Sequence, residues 1–316
     1  MTPTVGRLAP SPTGLLHLGH ARSFLLAWWS ARAQGGRVVL RLEDLDAERA
    51  HPEFIAGTLR DLEWLGLDWD GEALLQSSEL ERLNANIQSL LERGLAYPCT
   101  CTRSDLQQSQ SAPQQGTLEL RYPGTCRGRY TSMAEAEARS GRRPGIRLVV
   151  PSGTQHFDDR LRGPQTFDVQ AETGDFLIAR RSGMPAYQLA VVVDDAHQGV
   201  TEVVRGEDLL SSTARQICVR QALRLPEPRV AHVALVVDDT GRRLAKRAAS
   251  LGLSELRARG IDAESVVAWA ARTAGFHELG ARASAREVLE IFELDRWAKQ
   301  EPRQVPAPTP DSLIQN

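Results

Sequence analysis

Eleven residues, Pro10 to His20 (PSPTGLLHLGH), combine a Pro/Gly turn with two histidines three positions apart. They follow a short apolar strand candidate, Val5 to Ala9, and lead into a helical pattern that begins near Leu18. A strand, a tight turn and a helix start form the arrangement at which α/β sheets hold phosphates, because the helix N-terminus attracts anions. At i, i+3 spacing His17 and His20 share one face of the first turn, where both imidazoles can donate to such an anion.

Glu43 in RLEDLD (Arg41 to Asp46) sits on an apolar strand pattern, where a lone carboxylate needs a cationic partner. Arg7 precedes the Pro/Gly turn, and Arg205 lies in VVRGEDLL (Val203 to Leu210). Guanidinium groups bind carboxylates in a fork that an ammonium cannot reproduce. The cysteines offer a different chemistry. Cys99 and Cys101 form a CxC pair, and Tyr122 and Cys126 follow within YPGTC. In a large chain with few cysteines this pattern favours metal over disulfide. Cys218, in the apolar run ICVRQAL, reads as an ordinary buried thiol.

The elements that must carry these residues alternate between strand and helix. A helix is expected from Leu18 to Ala33, a strand from Val38 to Asp44, and helices over Pro52 to Leu65 and Glu79 to Arg93. Cys99 to Arg129 is poor in apolar residues and reads as an irregular loop. Arg147 to Val150, Phe176 to Arg180, Gln188 to Val193 (QLAVVV), Thr201 to Arg205 and Val233 to Val237 read as strands, QLAVVV as a buried parallel one. A helix should run to about Leu223, and the forty or so residues before Pro302 should be helical. The tail from Pro302 is Pro-rich and reads as extended or disordered. The pattern is that of a doubly wound α/β fold.

The chain has 316 residues, 41% of them hydrophobic, and a net charge of −2. That composition supports a proper core and excludes a globally basic, nucleic-acid-coating protein, so any nucleic-acid contact must come from a local patch. No window approaches a membrane span, and the N-terminus carries no charged leader, so a cytoplasmic protein is expected. Lys246 and Lys299 are the only lysines among 38 basic residues. Lys246 within GRRLAKR therefore stands out as a position that needs an ammonium.

These segments together resemble the glutamate-specific branch of the class I aminoacyl-tRNA synthetases. HLGH is similar to the HIGH signature, and RLAPS, RLEDLD, YQLAVVVDD (Tyr187 to Asp195) and VVRGEDLL follow in the family's order. Arg243-Leu244-Ala245-Lys246-Arg247 matches the KMSKS loop in register, with Arg and Ala replacing its first lysine and serine. The resemblance implies a Rossmann-like doubly wound parallel sheet at 1–97 and 176–230, an inserted zinc-containing module at 98–175, a KMSKS loop with a helical stem-contact region at 231–301, and a tail at 302–316. It implies ligase activity with ATP, Mg²⁺ and L-glutamate. His17, Gly19, His20 and Lys246 would bind ATP, and His17, His20 and Lys246 would act in catalysis. Arg7, Leu8, Ala9, Pro10, Ser11, Glu43, Tyr187 and Arg205 would bind glutamate. It also implies one structural zinc on Cys99, Cys101, Tyr122 and Cys126, with His156 as rival fourth ligand.

The 69 residues after Arg247 are too few for the usual anticodon-binding region. With the missing region, the resemblance implies a short paralogue, expected to be a monomer, that transfers glutamate to queuosine in the anticodon of tRNA(Asp). The alternatives are a truncated synthetase charging the tRNA 3′ end, or a non-catalytic tRNA-binding paralogue.

Overall fold

A computed structural model describes residues 3–109, 121–244 and 252–314. The chain opens with β1 (Val5–Leu8), α1 (Leu18–Ala33), β2 (Arg37–Leu42), α2 (Pro52–Trp64) and β3 (Leu74–Leu75). Strands β1, β2 and β3 lie side by side and parallel, with Arg7 opposite Val39. Helix α1 rests directly on β1: a methyl group on Gly6 would come within 2.7 Å of Ala31 Cβ. Trp28, Trp29 and Leu25 from α1 are fully buried, because the helix is covered by strands on one side and by C-terminal helices on the other.

An antiparallel layer follows α3 (Leu80–Glu92). It contains β4 (Ala96–Cys99), α4 (Arg103–Ser109), α5 (Met133–Ser140) and β5 (Gly145–Leu148). Among its described residues, the segment expected to be an irregular loop holds one short helix, and Cys99, Cys101 and Cys126 sit in a small core with Tyr97, Tyr122 and Tyr130. The hairpin of β6 (Gln155–Asp159) and β7 (Gly163–Phe167) comes next, then α6 (Val169–Glu172) and β8 (Leu177–Ala179), which pairs with β5.

The run QLAVVV, expected as a parallel strand, is instead α7 (Tyr187–His197). A short continuous apolar run marks burial on every side without distinguishing strand from helix. Here the valines of α7 pack between α3, α8 and β8, and tertiary burial overrides their β-branched preference.

β9 (Glu202–Gly206), α8 (Leu210–Leu223) and β10 (Arg229–Val233) complete the second half of the central sheet, in the order β9, β10, β6, β7. The Thr201 N–H donates to the Val5 carbonyl at 2.9 Å, which sets β9 beside β1. The strands therefore run outward in both directions from the β1/β9 junction, the switch point at which open α/β sheets bind ligands.

The single strand expected over Val233 to Val237 is divided between β10 and β11 (Leu235–Val237). The break is at Ala234, whose N–H donates to Glu301 and whose carbonyl accepts from Arg22, two partners of a buried ion pair. α9 (Leu253–Ala258), α10 (Ala263–Thr273), α11 (Ala285–Ile291) and α12 (Leu294–Gln300) form the expected helical region. The tail is neither free nor disordered through residue 314: β12 (Gln304–Pro306) pairs with β11, and α13 (Pro310–Ile314) follows. Proline favours the extended pairing of an edge strand, while Val305 and Leu313 are buried apolar anchors. Among the described residues no helix is long and apolar enough to cross a membrane.

Candidate active site

A cleft of about 430 Å³ opens at the β1/β9 junction. Its lining draws on segments far apart in the chain. Arg7, Ala9, Pro10 and Ser11 come from the end of β1, His17, Gly19 and His20 from the start of α1, and Glu43 from the end of β2. Tyr187 begins α7, and Arg205 is on β9. Of the residues expected to bind glutamate, Leu8 alone does not line the cleft. Its side chain points the other way along β1, into the core.

The two histidines are built into the helix start. His17 caps α1, its Nδ1 accepting the Gly19 N–H at 3.1 Å. The His17 N–H in turn donates to His20 Nδ1 at 3.3 Å, and the two rings stack with centroids 3.7 Å apart. An imidazole whose Nδ1 accepts must carry its proton on Nε2. Both rings therefore present Nε2–H donors beside a helix N-terminus. Gly19 keeps this packing open, because a methyl group there would press on the His17 ring at 3.0 Å.

Arg205 is buried and tied on two sides. Its Nε donates to His232 Nε2 at 3.0 Å, and its Nη2 donates to Thr213 Oγ1 at 2.7 Å. Nη1 is buried with no hydrogen-bond partner among the described residues. Arg7 donates from Nη1 to the Val204 carbonyl at 2.9 Å and stands 3.7 Å from Asp195. Burial, and then Arg205 and Arg41 nearby, push the Arg7 pKa down, while Asp195 opposes them.

Glu43 accepts from Arg41 at 3.2 Å and from the Ser11 hydroxyl at 3.3 Å. Its burial raises the carboxyl pKa, and the attraction of Arg41 and Arg7 recovers only part of that. The Tyr187 phenol is likewise held in its neutral form by burial, with Glu43 adding to the effect. The cleft thus faces a ligand with two guanidinium groups, one carboxylate and a neutral phenol.

Six partners in this network are not singled out by the sequence: Arg41, Asp195, Arg220, Thr213, His232 and Asp208. Arg41 and Asp195 stand inside recognisable motifs, where a charge within an apolar run is the available signal. Nothing local marks His232. Asp208 pairs with Arg243 at 2.5 Å, both at the rim. Lys246 lies outside the described residues.

A second cluster shares no residue with the cleft. The Sγ atoms of Cys99, Cys101 and Cys126 lie within 4.8 Å of one another. Tyr122 Oη is 3.4 Å from Cys99 Sγ and 4.0 Å from Cys101 Sγ, and Cys101 and Cys126 are 3.5 Å apart. Tetrahedral zinc with Zn–S bonds of about 2.3 Å separates its sulfurs by about 3.8 Å, so the donor set fits. Hydrogen bonding from Cys99 pulls the Cys126 thiol down to about 4. Arg147 donates from Nε to Cys99 Sγ at 3.2 Å, with its guanidinium 3.7 Å above the Tyr122 ring. His156, the rival ligand, is exposed on β6, bonded to Thr154 and Thr166 and outside the cysteine group.

The family described as tRNA synthetases class I (E and Q), catalytic domain, matches residues 4–302. A glutamyl-Q tRNA(Asp) synthetase of Nitratidesulfovibrio vulgaris is 46% identical over 278 residues, 85% of this chain and 86% of that one. Another, from Symbiobacterium thermophilum, is 42% identical over 96% of both chains. A glutamate–tRNA ligase of Azorhizobium caulinodans is 38% identical over 96% of this chain, which spans 64% of that protein. The fold is shared with the crystal structure of a glutamate tRNA ligase from Elizabethkingia meningosepticum. That comparison has a TM-score of 0.81 at 24% identity and covers 99% of this chain and 68% of that one. The chain belongs to the class I tRNA synthetases of the E and Q type, alongside the glutamyl-Q tRNA(Asp) synthetases.

Proposed function

We propose that the protein activates glutamate with ATP and transfers it to queuosine in the anticodon of tRNA(Asp). One observation carries the activation step: two buried arginines and Glu43 converge in one cleft with the paired histidines of a helix start. Glutamate has two carboxylates and one ammonium. Arg205 Nη1 and Arg7 meet the carboxylates, Glu43 receives the ammonium, and Tyr187 and Ser11 supply hydroxyl donors. The triphosphate lies at the start of α1, and the nucleoside lies against Leu235, Val236 and Leu244.

A substrate carboxylate oxygen then attacks the α-phosphorus and pyrophosphate leaves. Negative charge grows on the phosphoryl oxygens, where the Nε2–H groups of His17 and His20 and the ammonium of Lys246 donate. Mg²⁺ would accompany the nucleotide and offset part of its phosphate charge. In the second step a hydroxyl of the modified base attacks the acyl carbon of the adenylate and AMP leaves. Identity with relatives named for tRNA(Asp) supports this acceptor over a tRNA 3′ end.

We also propose that Cys99, Cys101, Tyr122 and Cys126 hold one structural zinc. Bound there, the metal would pin β4 to the segment around Cys126 and fix the small core beside it.

The test is ATP–pyrophosphate exchange with glutamate and no RNA, followed by acylation of tRNA(Asp) with and without queuosine and of tRNA(Glu). Glutamate-dependent exchange and labelling of queuosine-containing tRNA(Asp) alone are expected. Exchange that needs tRNA, or labelling of tRNA(Glu), overturns the corresponding step.

A further inference from the structure

Behind Arg205 lies a buried histidine that touches neither glutamate nor ATP. His232 on β10 has no exposed surface. Its Nδ1 is 2.5 Å from Asp159 Oδ2, on β6. The other oxygen of that carboxylate accepts the N–H groups of Leu161 and Arg162 at 2.9 Å and of His232 itself at 3.2 Å. A carboxylate held by so many donors stays ionised and accepts only, so the imidazole proton belongs on Nδ1.

Nε2 then carries a lone pair. It faces the Nε–H of Arg205 at 3.0 Å and Thr213 Oγ1 at 3.2 Å. The same hydroxyl accepts from Arg205 Nη2 at 2.7 Å, so its own proton is available to His232. Arg205 has no acceptor atom and cannot rotate without breaking two of these bonds. What the arrangement leaves over is Nη1, the buried guanidinium nitrogen without a partner among the described residues.

We propose that Asp159 and His232 form a positioning pair for glutamate: the carboxylate sets the imidazole tautomer, and the imidazole turns Arg205 so that Nη1 meets a substrate carboxylate. The pair does not contact the reacting atoms. The strand order explains why a residue of the β6–β7 hairpin reaches the site, since β6 lies directly beside β10. A swap of the His232 proton to Nε2 would set two donors against each other, the same logic by which an aspartate orients the histidine of a serine protease.

The inference rests on the reading that Arg205 binds glutamate, and one set of measurements separates the two. Exchange is measured with glutamate and ATP varied separately, for wild type, His232→Asn, His232→Gln and Asp159→Asn. The asparagine amide reaches the Nδ1 position and keeps the bond to Asp159, but leaves Arg205 without its acceptor. The glutamine oxygen reaches the Nε2 position and restores that acceptor. Loss of a hydrogen bond to a charged group predicts a glutamate KM about tenfold or more higher for His232→Asn, with the ATP KM within about twofold of wild type. His232→Gln should recover most of the difference. Asp159→Asn should raise the glutamate KM as well, because an amide donor at Nδ1 favours the wrong tautomer. That variant decides the matter should His232→Asn not fold. An unchanged glutamate KM, or equal rises in both KM values, overturns the positioning role. Wild-type protein without glutamate-dependent exchange overturns the glutamate reading and this inference with it.

Discussion

Arg41 donates to Asp195 across 3.0 Å, with both side chains shut away from solvent. Arg220 donates to the other oxygen of the same carboxylate at 3.1 Å, and Arg7 stands 3.7 Å away. One carboxylate on α7 therefore ties together guanidinium groups from β1, β2 and α8 behind the cleft.

Removing this anion should be costly. Asp195→Asn leaves three arginines buried around a neutral amide, a loss of about 3–5 kcal/mol, measured as a fall in denaturant midpoint. Burial alone would raise the Asp195 pKa, but Arg41, Arg7 and Arg220 outweigh it, and the net shift is downward from 3.8. The contribution is then present above the unfolded-state pKa and lost as pH falls through the lower folded value. The gap between wild type and Asp195→Asn should be widest near neutrality and close only in strong acid. A gap that widens on acidification contradicts the assignment.

Glu43 predicts a pH dependence of the opposite kind. Burial lifts its pKa above 4.5, so the folded state prefers the protonated acid, and that preference is lost as pH rises through the lifted value. An ammonium needs the ionised form. The acid limb of kcat/KM for glutamate should therefore lie above pH 4.5. It should not appear at the same place in kcat/KM for ATP. A glutamate limb at or below the ordinary carboxylate range would show that the free site holds Glu43 ionised.

Lys246→Arg keeps the charge and should still lose activity. On the reading that Lys246 donates to the ATP phosphates, a bulky planar fork would replace a compact donor, and one lost transition-state contact costs on the order of 2–4 kcal/mol, roughly a hundredfold or more in rate. Exchange near the wild-type rate would mean that the lysine is a matter of composition.

Purified protein should contain one zinc per chain, and Cys101→Ser should lose it. Three thiolates and a phenolate outweigh the charge of a single Zn²⁺. The Arg147 guanidinium, bonded to Cys99 and stacked on Tyr122, offsets part of the excess. Arg147→Met should release zinc to a chelator about tenfold or more faster with all four ligands intact. Zinc undiminished in Tyr122→Phe would remove the phenol from the ligand set. Protein that folds and activates glutamate without zinc would remove the site.

Much of this site is legible because its residues are local in sequence. A helix start carries its own signals, so PSPTGLLHLGH announces the helix from Leu18 to Ala33 with its boundaries, and its two histidines do line the cleft. The excess of arginine singles out Lys246, and the spacing of Cys99, Cys101, Tyr122 and Cys126 announces a cluster that the fold does assemble. Motif order, a one-dimensional property, is enough to indicate the fold class and which side chains share a cleft.

What surrounds those side chains is decided in three dimensions. The run QLAVVV records burial on all sides, and only its neighbours α3, α8 and β8 determine that it is a helix. Val305 and Leu313 look unremarkable in a Pro-rich tail until β11 and the main core supply surfaces for them. Asp159, Arg205 and His232 are separated by tens of residues, and no local pattern links them. Their hydrogen bonds exist because β6, β9 and β10 are neighbours in one sheet. Residue types and local spacing marked which side chains meet in the cleft and in the cysteine cluster. Long-range strand pairing and burial decided which partners hold Arg205 and His232, and which guanidinium nitrogen is left without one among the described residues.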